Sequence, residues 1–280
     1  MEKIINLCPT GTQTTKENSL APIFYNEIIE EVLACAEIGI TLVHLHARDN
    51  AGLNTYKLEY YQLIIEGIKK HNPDLVICVS LSGRYFTDRH LRAEVLSLHP
   101  DLGSLTMSSM NFPKSASVND PETIVWLINQ MYQYGVHPEI ECFDSGMLKY
   151  TSYLQKQDIL VGPLYINVIL GNLFNAGIEA STIADIKNHF PDNAKICLGG
   201  IGKAQLKSNV MGLMEADGVR VGVEDNIYYQ ENVKAKNIDL IKRIHRLSNE
   251  LGMEIMKSTK LKKLGYGNNE NNGGYWDNKS

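Results

Sequence analysis

Short β-branched apolar runs alternate along this chain with longer stretches whose apolar residues recur at helical spacing, and turns rich in Gly, Pro, Ser, Thr and Asn separate them. The runs at 3–8, 41–46, 75–80, 102–106, 139–142, 164–169, 195–198 and 218–221 predict eight strands. The stretches at 25–38, 58–70, 87–98, 121–134, 147–157, 178–189, 203–214 and 232–251 predict eight helices. Strict alternation demands a parallel sheet, because a right-handed crossover returns the chain in the same direction. Eight such units close into a (β/α)8 TIM barrel. An open doubly wound sheet is the alternative, but its G-x-G-x-x-G turn is missing, since Pro9-Thr10-Gly11-Thr12-Gln13 carries one glycine. Residues 1–264 are expected to form a single barrel domain, and 265–280, rich in Asn and Gly, a polar C-terminal tail.

Composition removes several function classes. Hydrophobic residues at 44% and charged residues at 21% supply a packed core and argue against disorder. A formal charge of −5 leaves no general positive field for a phosphate backbone, so nucleic-acid binding is not expected. The basic run Lys257, Lys260, Lys262 and Lys263 reads as a solvated face. The opening apolar run is too short for a signal sequence, and no later run reaches the length of a membrane span. The expectation is a cytoplasmic protein without membrane contact. The five cysteines, Cys8, Cys35, Cys78, Cys142 and Cys197, lack C-x-x-C spacing and read as reduced core filler.

In a barrel of this kind, chemistry belongs at the carboxyl ends of the strands. The second predicted strand ends Val43-His44-Leu45-His46-Ala47-Arg48. Side chains alternate across a strand, so His44 and His46 share a face, about 6.6 Å apart along the axis, and can converge on one ion. The other six histidines lie in or beside helical patterns or ahead of strands, and none reads as a third ligand. The eighth strand ends Arg220-Val221-Gly222-Val223-Glu224-Asp225-Asn226. A local ion pair is one explanation of that cluster. The other sets Glu224 on a metal beside the two histidines, with Asp225 as an unligated base oriented by Arg220. Nitrogen and oxygen ligands without thiolate suit zinc, with manganese or nickel open. Hydroxyls gather after strands one, three and four, and Glu141 ends strand five. Gly199-Gly200-Ile201-Gly202 either admits a phosphate or thioester arm or serves a tight turn.

Thr10-Gly11, His44-Leu45-His46-Ala47-Arg48, Ser104-Leu105-Thr106 with Asn111-Phe112, Pro138-Glu139-Ile140-Glu141-Cys142-Phe143-Asp144, Gly199-Gly200-Ile201-Gly202 and the 220–226 segment, in that order, resemble the β-keto acid cleavage enzymes over about residues 3–264. The resemblance implies a (β/α)8 barrel holding a divalent metal, usually Zn2+, on His44, His46 and Glu224. It also implies acetyl-CoA as co-substrate. A β-keto acid is converted to acetoacetate and a new acyl-CoA by a retro-Claisen route, which makes the chain an acyltransferase. By the same resemblance, Asp225 paired with Arg220 is the base, Thr106 and Ser80 donate to developing oxyanions, and Glu141 helps hold the substrate. A homo-oligomer, a tetramer, is also implied.

Three positions depart from the family pattern. Ser82 replaces a glycine in the Ser80-Leu81-Ser82-Gly83 turn, and Thr106-Met107-Ser108 carries a bulky side chain where glycine is expected. Gln13 stands where the aminohexanoate-cleaving members carry a glutamate, which argues against a cationic amine substrate. Two rival readings remain: a metal-dependent aldolase or lyase that needs no CoA, and a non-catalytic ligand-binding barrel.

Overall fold

The structure, a computed structural model, describes residues 1–14 and 16–268. Eight strands, β1 (Glu2–Leu7), β2 (Leu42–Leu45), β3 (Val76–Val79), β4 (Leu102–Thr106), β5 (His137–Cys142), β6 (Leu164–Leu170), β7 (Ala194–Gly200) and β8 (Gly218–Val221), pair in parallel in chain order. Strand β8 then pairs with β1, setting Asn6 opposite Arg220 and Leu7 opposite Val221, so the sheet closes and the open doubly wound alternative is excluded. Around it lie α1 (Tyr25–Ile38), α2 (Leu58–His71), α3 (Arg89–Ala93), α4 (Pro121–Gln133), α5 (Ser145–Lys156), α6 (Ala180–Lys187), α7 (Ala204–Glu215) and α8 (Asn237–Glu250).

Local chemistry moves several boundaries from their predicted places. Asp144 accepts a hydrogen bond from the Met147 amide and caps α5, which therefore starts at Ser145 rather than at 147. The third helix is short and tightens into a 3-10 turn over Glu94–Leu98, where a single helix over 87–98 was expected. Asn232, at φ 61°, occupies the turn of a hairpin between Tyr228–Gln230 and Val233–Lys234, so α8 begins at Asn237 instead of 232. His46 falls one residue past the end of β2.

Two apolar layers flank the sheet. Outward-facing residues such as Ile5, Val43, Ile77 and Val219 pack under the helices. Inside, Ile4, Leu42, Val76, Leu102, Tyr165 and Cys197 fill the amino-terminal end of the barrel. That end is plugged by the segment after α8. Glu254–Ile255 adds a short parallel strand beside β1, and α9 (Ser258–Lys263) follows it. Met256, Leu261 and Tyr266 enter the inner core. Thr41 Oγ1 donates to the Met256 carbonyl at 2.7 Å, and Ser258 Oγ to the Thr41 carbonyl at 2.6 Å. Of the polar tail expected over 265–280, Tyr266 is buried against His137 and Tyr165, and the part from 269 lies outside the described residues. Lys260 pairs with Glu2 and Lys262 with Asp101 at this same end, so the basic run lies far from the strands' carboxyl ends. Among the described residues no helix is long and apolar enough to cross a membrane.

Because the plug seals apolar residues that water would otherwise reach, Leu261→Ala is expected to destabilise the protein by about 2–5 kcal/mol, read from the midpoint of urea unfolding.

Candidate active site

The inward-facing residues change character partway up the barrel. Above the apolar layer, the next inward positions are Asn6, His44, Cys78, Glu139 and Asn167, all buried. Glu139 is fully enclosed and accepts from three directions: His44 Nδ1 at 2.5 Å, Asn6 Nδ2 at 2.6 Å and Cys78 Sγ at 3.0 Å. The contact to Glu139 fixes the His44 ring with Nδ1 as donor and leaves Nε2 on the side of Glu224. His46 Nε2 lies 3.4 Å from Glu224 Oε1, His44 Nε2 lies 3.9 Å from the same oxygen, and the two rings are 5.2 Å apart. Residues from opposite ends of the chain meet here because β1 joins β2 to β8.

A glycine makes that meeting possible. A Cβ on Gly11, whose φ is +56°, would fall 2.3 Å from Glu224 Cγ, so only glycine lets the first loop pass over this carboxylate. Gly222 approaches Cys8 as closely, since its Cβ would stand 2.0 Å from the Cys8 carbonyl oxygen. Arg48 fixes the same loop from the other side, donating to the carbonyls of Gly11 and Gln13 at 2.6 and 2.7 Å.

Arg220 is the hub on β8. It donates through Nε to Asp225 Oδ2 at 2.8 Å, through Nη1 to Glu141 Oε1 at 2.6 Å and through Nη2 to Glu224 Oε1 at 2.8 Å. The glycine turn after β7 serves this packing: a Cβ on Gly199 would press on the Arg220 side chain at 3.0 Å, and one on Gly200 would press on Ala204 and Ser208. Glu141 also accepts from Thr106 Oγ1 at 2.9 Å. The ion-pair reading of the 220–226 cluster is therefore correct as far as it goes. It leaves a remainder, because Glu224 Oε2 is buried with no hydrogen-bond partner.

Electrostatics supply the complement to that orphan atom. Burial opposes charge on His44, but Glu139 and Glu224 outweigh it and raise its pKa to about 9. The negative potential that attracts a proton there attracts a metal cation equally. Burial lowers the pKa of His46 against the pull of Glu224, which keeps that ring neutral and able to coordinate. His44, His46 and Glu224 each bring one ligand atom, all within 4.8 Å of one another, a donor set suited to a divalent ion. A second trio, His44, Cys78 and Glu139, is as close. There burial drives the Cys78 thiol pKa well up, so it stays protonated and serves as a hydrogen-bond donor to Glu139.

The two neighbouring carboxylates are driven apart. Burial works against ionisation of Glu224, yet His46, His44 and Arg220 hold its pKa below the usual carboxylate range. Asp225 is raised by burial and by the charges of Glu224 and Glu141, against the pull of Arg220. One carboxylate is stabilised in its charged form, and the next has its proton affinity raised.

A cleft of about 440 Å³ opens above these groups and is lined by His44, His46, Thr106, Glu141, Glu224 and Asp225, with Arg220, Gln13, Ser80 and Ser82 also on its walls. Ser80 Oγ accepts from the Ser82 amide at 3.3 Å, which leaves its hydroxyl hydrogen able to turn into the cleft. Gln13 donates to the Glu224 backbone carbonyl at 2.9 Å and so braces the loop as well as facing the cleft. Ser108, the hydroxyl of the Thr106-Met107-Ser108 turn and a candidate for substrate contact, does not line this cleft. It lines a separate one beyond β4 with Met107, Asn111 and Asp144, and its hydroxyl donates to the Ser109 carbonyl, while Met107 is buried in the layer under the helices. Glu139 went unassigned from the sequence, although Glu139-x-Glu141 repeats on β5 the alternation that singled out His44-x-His46.

Fold and site together define a TIM barrel with a candidate divalent-metal centre at the carboxyl ends of its strands. A sequence profile of the beta-keto acid cleavage enzymes matches residues 2–265, and the chain belongs to that family. It is 32% identical to a 3-keto-5-aminohexanoate cleavage enzyme of Fusobacterium nucleatum, covering 91% of this chain and 94% of that one. It is also 32% identical to a 3-oxoadipate:acetyl-CoA acetyltransferase of Cupriavidus necator, covering 90% of each. Among solved structures, a binary complex of ObcA with oxaloacetate shares the fold at a TM-score of 0.76 and 20% identity, over 89% of this chain and 68% of that one.

Removing the support behind His44 by Glu139→Gln is expected to weaken zinc binding by about 10–100-fold, read by competition with a chromophoric chelator.

Proposed function

We propose that this protein is a metal-dependent β-keto acid cleavage enzyme, an acyltransferase that uses acetyl-CoA to convert a β-keto acid into acetoacetate and a new acyl-CoA. The observation that carries the reading is a buried Glu224 carboxylate whose Oε1 lies 3.4 Å from His46 Nε2 and whose Oε2 has no hydrogen-bond partner among the described residues, next to a carboxylate bound by Arg220. His44, His46 and Glu224 hold the ion, with zinc the metal that this donor set favours. When bound, a divalent ion supplies Lewis acidity toward the ketone and carboxylate oxygens of the substrate.

Asp225 takes the proton from the carbon between those two carbonyls. Its raised pKa makes it a stronger base than an ordinary aspartate, and Arg220, gripping it through two nitrogens, fixes its direction. That carbon attacks the thioester carbonyl of acetyl-CoA and releases the CoA thiolate. The thiolate adds to the former ketone carbon, and cleavage of the bond between that carbon and the deprotonated one gives the new acyl-CoA and a carbanion, which takes the proton back from Asp225 to become acetoacetate. No protein nucleophile is consumed. Ser80 donates to oxyanion charge from its free hydroxyl. Thr106 does so by exchanging its present hydrogen bond to Glu141, which in turn helps hold the substrate. Ser82 and Gln13 shape the wall where the substrate's variable end lies. The barrel domain spans residues 1–264, the chain assembles as a homo-oligomer, and it acts in the cytoplasm.

Asp225→Asn is expected to keep bound zinc, measured by plasma mass spectrometry, while acyl-CoA formation falls at least about 100-fold. Chelation of the metal is expected to abolish turnover and readdition of zinc to restore it. Turnover of β-keto acids in the absence of acetyl-CoA would replace this reading with that of an aldolase or lyase.

A further inference from the structure

The charges lining the cleft balance, with one exception. Glu141, Glu224 and Asp225 face Arg220 and the trio that suits a divalent cation, and Glu17 is engaged by Lys114 at 3.2 Å. Arg84 also lines this cleft, and among the described residues no carboxylate lies within ion-pair distance of it.

Its side chain is nonetheless held in place. Nε donates to Ser115 Oγ at 2.9 Å, Nη1 donates to Thr12 Oγ1 at 3.3 Å, and the guanidinium lies over the Phe112 ring at 4.2 Å. A guanidinium carries five N–H groups. These two bonds leave both hydrogens of Nη2 and one of Nη1 without a protein acceptor among the described residues. A half-buried cation fixed by neutral hydroxyls and an aromatic face, with a free edge toward the cleft, is built for a planar oxyanion. No negative side chain competes for that edge, since neighbouring Gln13 is neutral and its amide is spent on the Glu224 carbonyl.

Granted β-keto acid cleavage at this site, on which the assignment rests, we propose that Arg84 binds a carboxylate at the far end of the substrate. The preferred substrates are therefore β-keto acids with a second, terminal carboxylate. One carboxylate lies at the His44, His46 and Glu224 end of the cleft and the other on Arg84, so the guanidinium selects against neutral and cationic termini. A phosphate of CoA is the other oxyanion that the same edge would accept, and the experiment separates the two.

The full-length zinc-loaded protein is assayed with acetyl-CoA and three six-carbon keto acids: 3-oxoadipate, 3-oxohexanoate and 3-keto-5-aminohexanoate. Wild type is expected to favour 3-oxoadipate over 3-oxohexanoate in kcat/KM by roughly 10–100-fold. Arg84→Met should bring that ratio close to one, and Arg84→Lys should retain part of it. Calorimetric titration with adipate and hexanoate, which do not react, should show adipate binding wild type at least about tenfold more tightly, with the gap closed in Arg84→Met. Equal treatment of the anionic and neutral substrates by wild type overturns the proposal. So does an Arg84→Met variant that keeps the ratio while its KM for acetyl-CoA rises, which would assign the guanidinium to a CoA phosphate. Should none of the three keto acids yield a thioester, the cleavage reading fails, and the adipate and hexanoate titrations still decide whether Arg84 takes a carboxylate.

Discussion

Arg220 has to satisfy three carboxylates at once inside a barrel whose lower half is apolar, and most of the local architecture follows from that demand. Glu141, Glu224 and Asp225 all touch its guanidinium. Glu139 lies deeper, fully buried, and is answered by a histidine, an amide and a thiol. Buried carboxylates in this number lose much hydration, and the guanidinium, the His44 ring and neutral donors answer them in part. The tight crossings at Gly199 and Gly222 belong to the same requirement. Gly199 leaves room for the Arg220 side chain itself, and Gly222 lets the backbone after β8 pass close to Cys8.

The same crowding assigns different chemistry to adjacent residues. Glu224 and Asp225 follow each other in the chain, yet one faces two imidazoles while the other faces only the arginine and two like charges. Opposite pKa shifts result from surroundings alone. His44 and His46 are separated in the same way: Glu139 stands behind the first, and among the described residues no carboxylate stands behind the second. Two residue pairs thus present four distinct electrostatic environments without any unusual residue type.

Much of this was legible in the order of residues. Alternating apolar runs and amphipathic stretches predict eight strands and eight helices, and β8 closes on β1 as a barrel requires. The alternation of His44 and His46 predicts a shared face, which they keep although His46 lies just past the end of β2, and barrel closure sets the 220–226 segment beside them. Other assignments depended on contacts between distant segments. Glu139 reads as one more strand residue until its neighbours across the barrel are known. Ser108 reads as part of the Thr106 turn until Met107 is seen to take the core position. The glycines after β7 are equally compatible with a ligand arm or a close helix, and Ala204 and Arg220 decide for packing. The eighth helix begins later than periodicity predicts, because a left-handed Asn232 and a small hairpin leave little trace in that pattern.

By itself, then, the sequence determined the barrel, the strand ends at which polar residues would gather, and which residue types would gather there, because periodicity is a local property that neighbours along the chain reveal. Only the tertiary structure decided which carboxylate oxygen lacks a hydrogen-bond partner, which carboxylate stays off the histidines, and which arginine of the cleft has no carboxylate within ion-pair distance among the described residues. Those are sums over charges brought together from β1, β2, β5 and β8 and the loops after them, and Coulomb interactions depend on distance in space, for which separation along the chain is no guide.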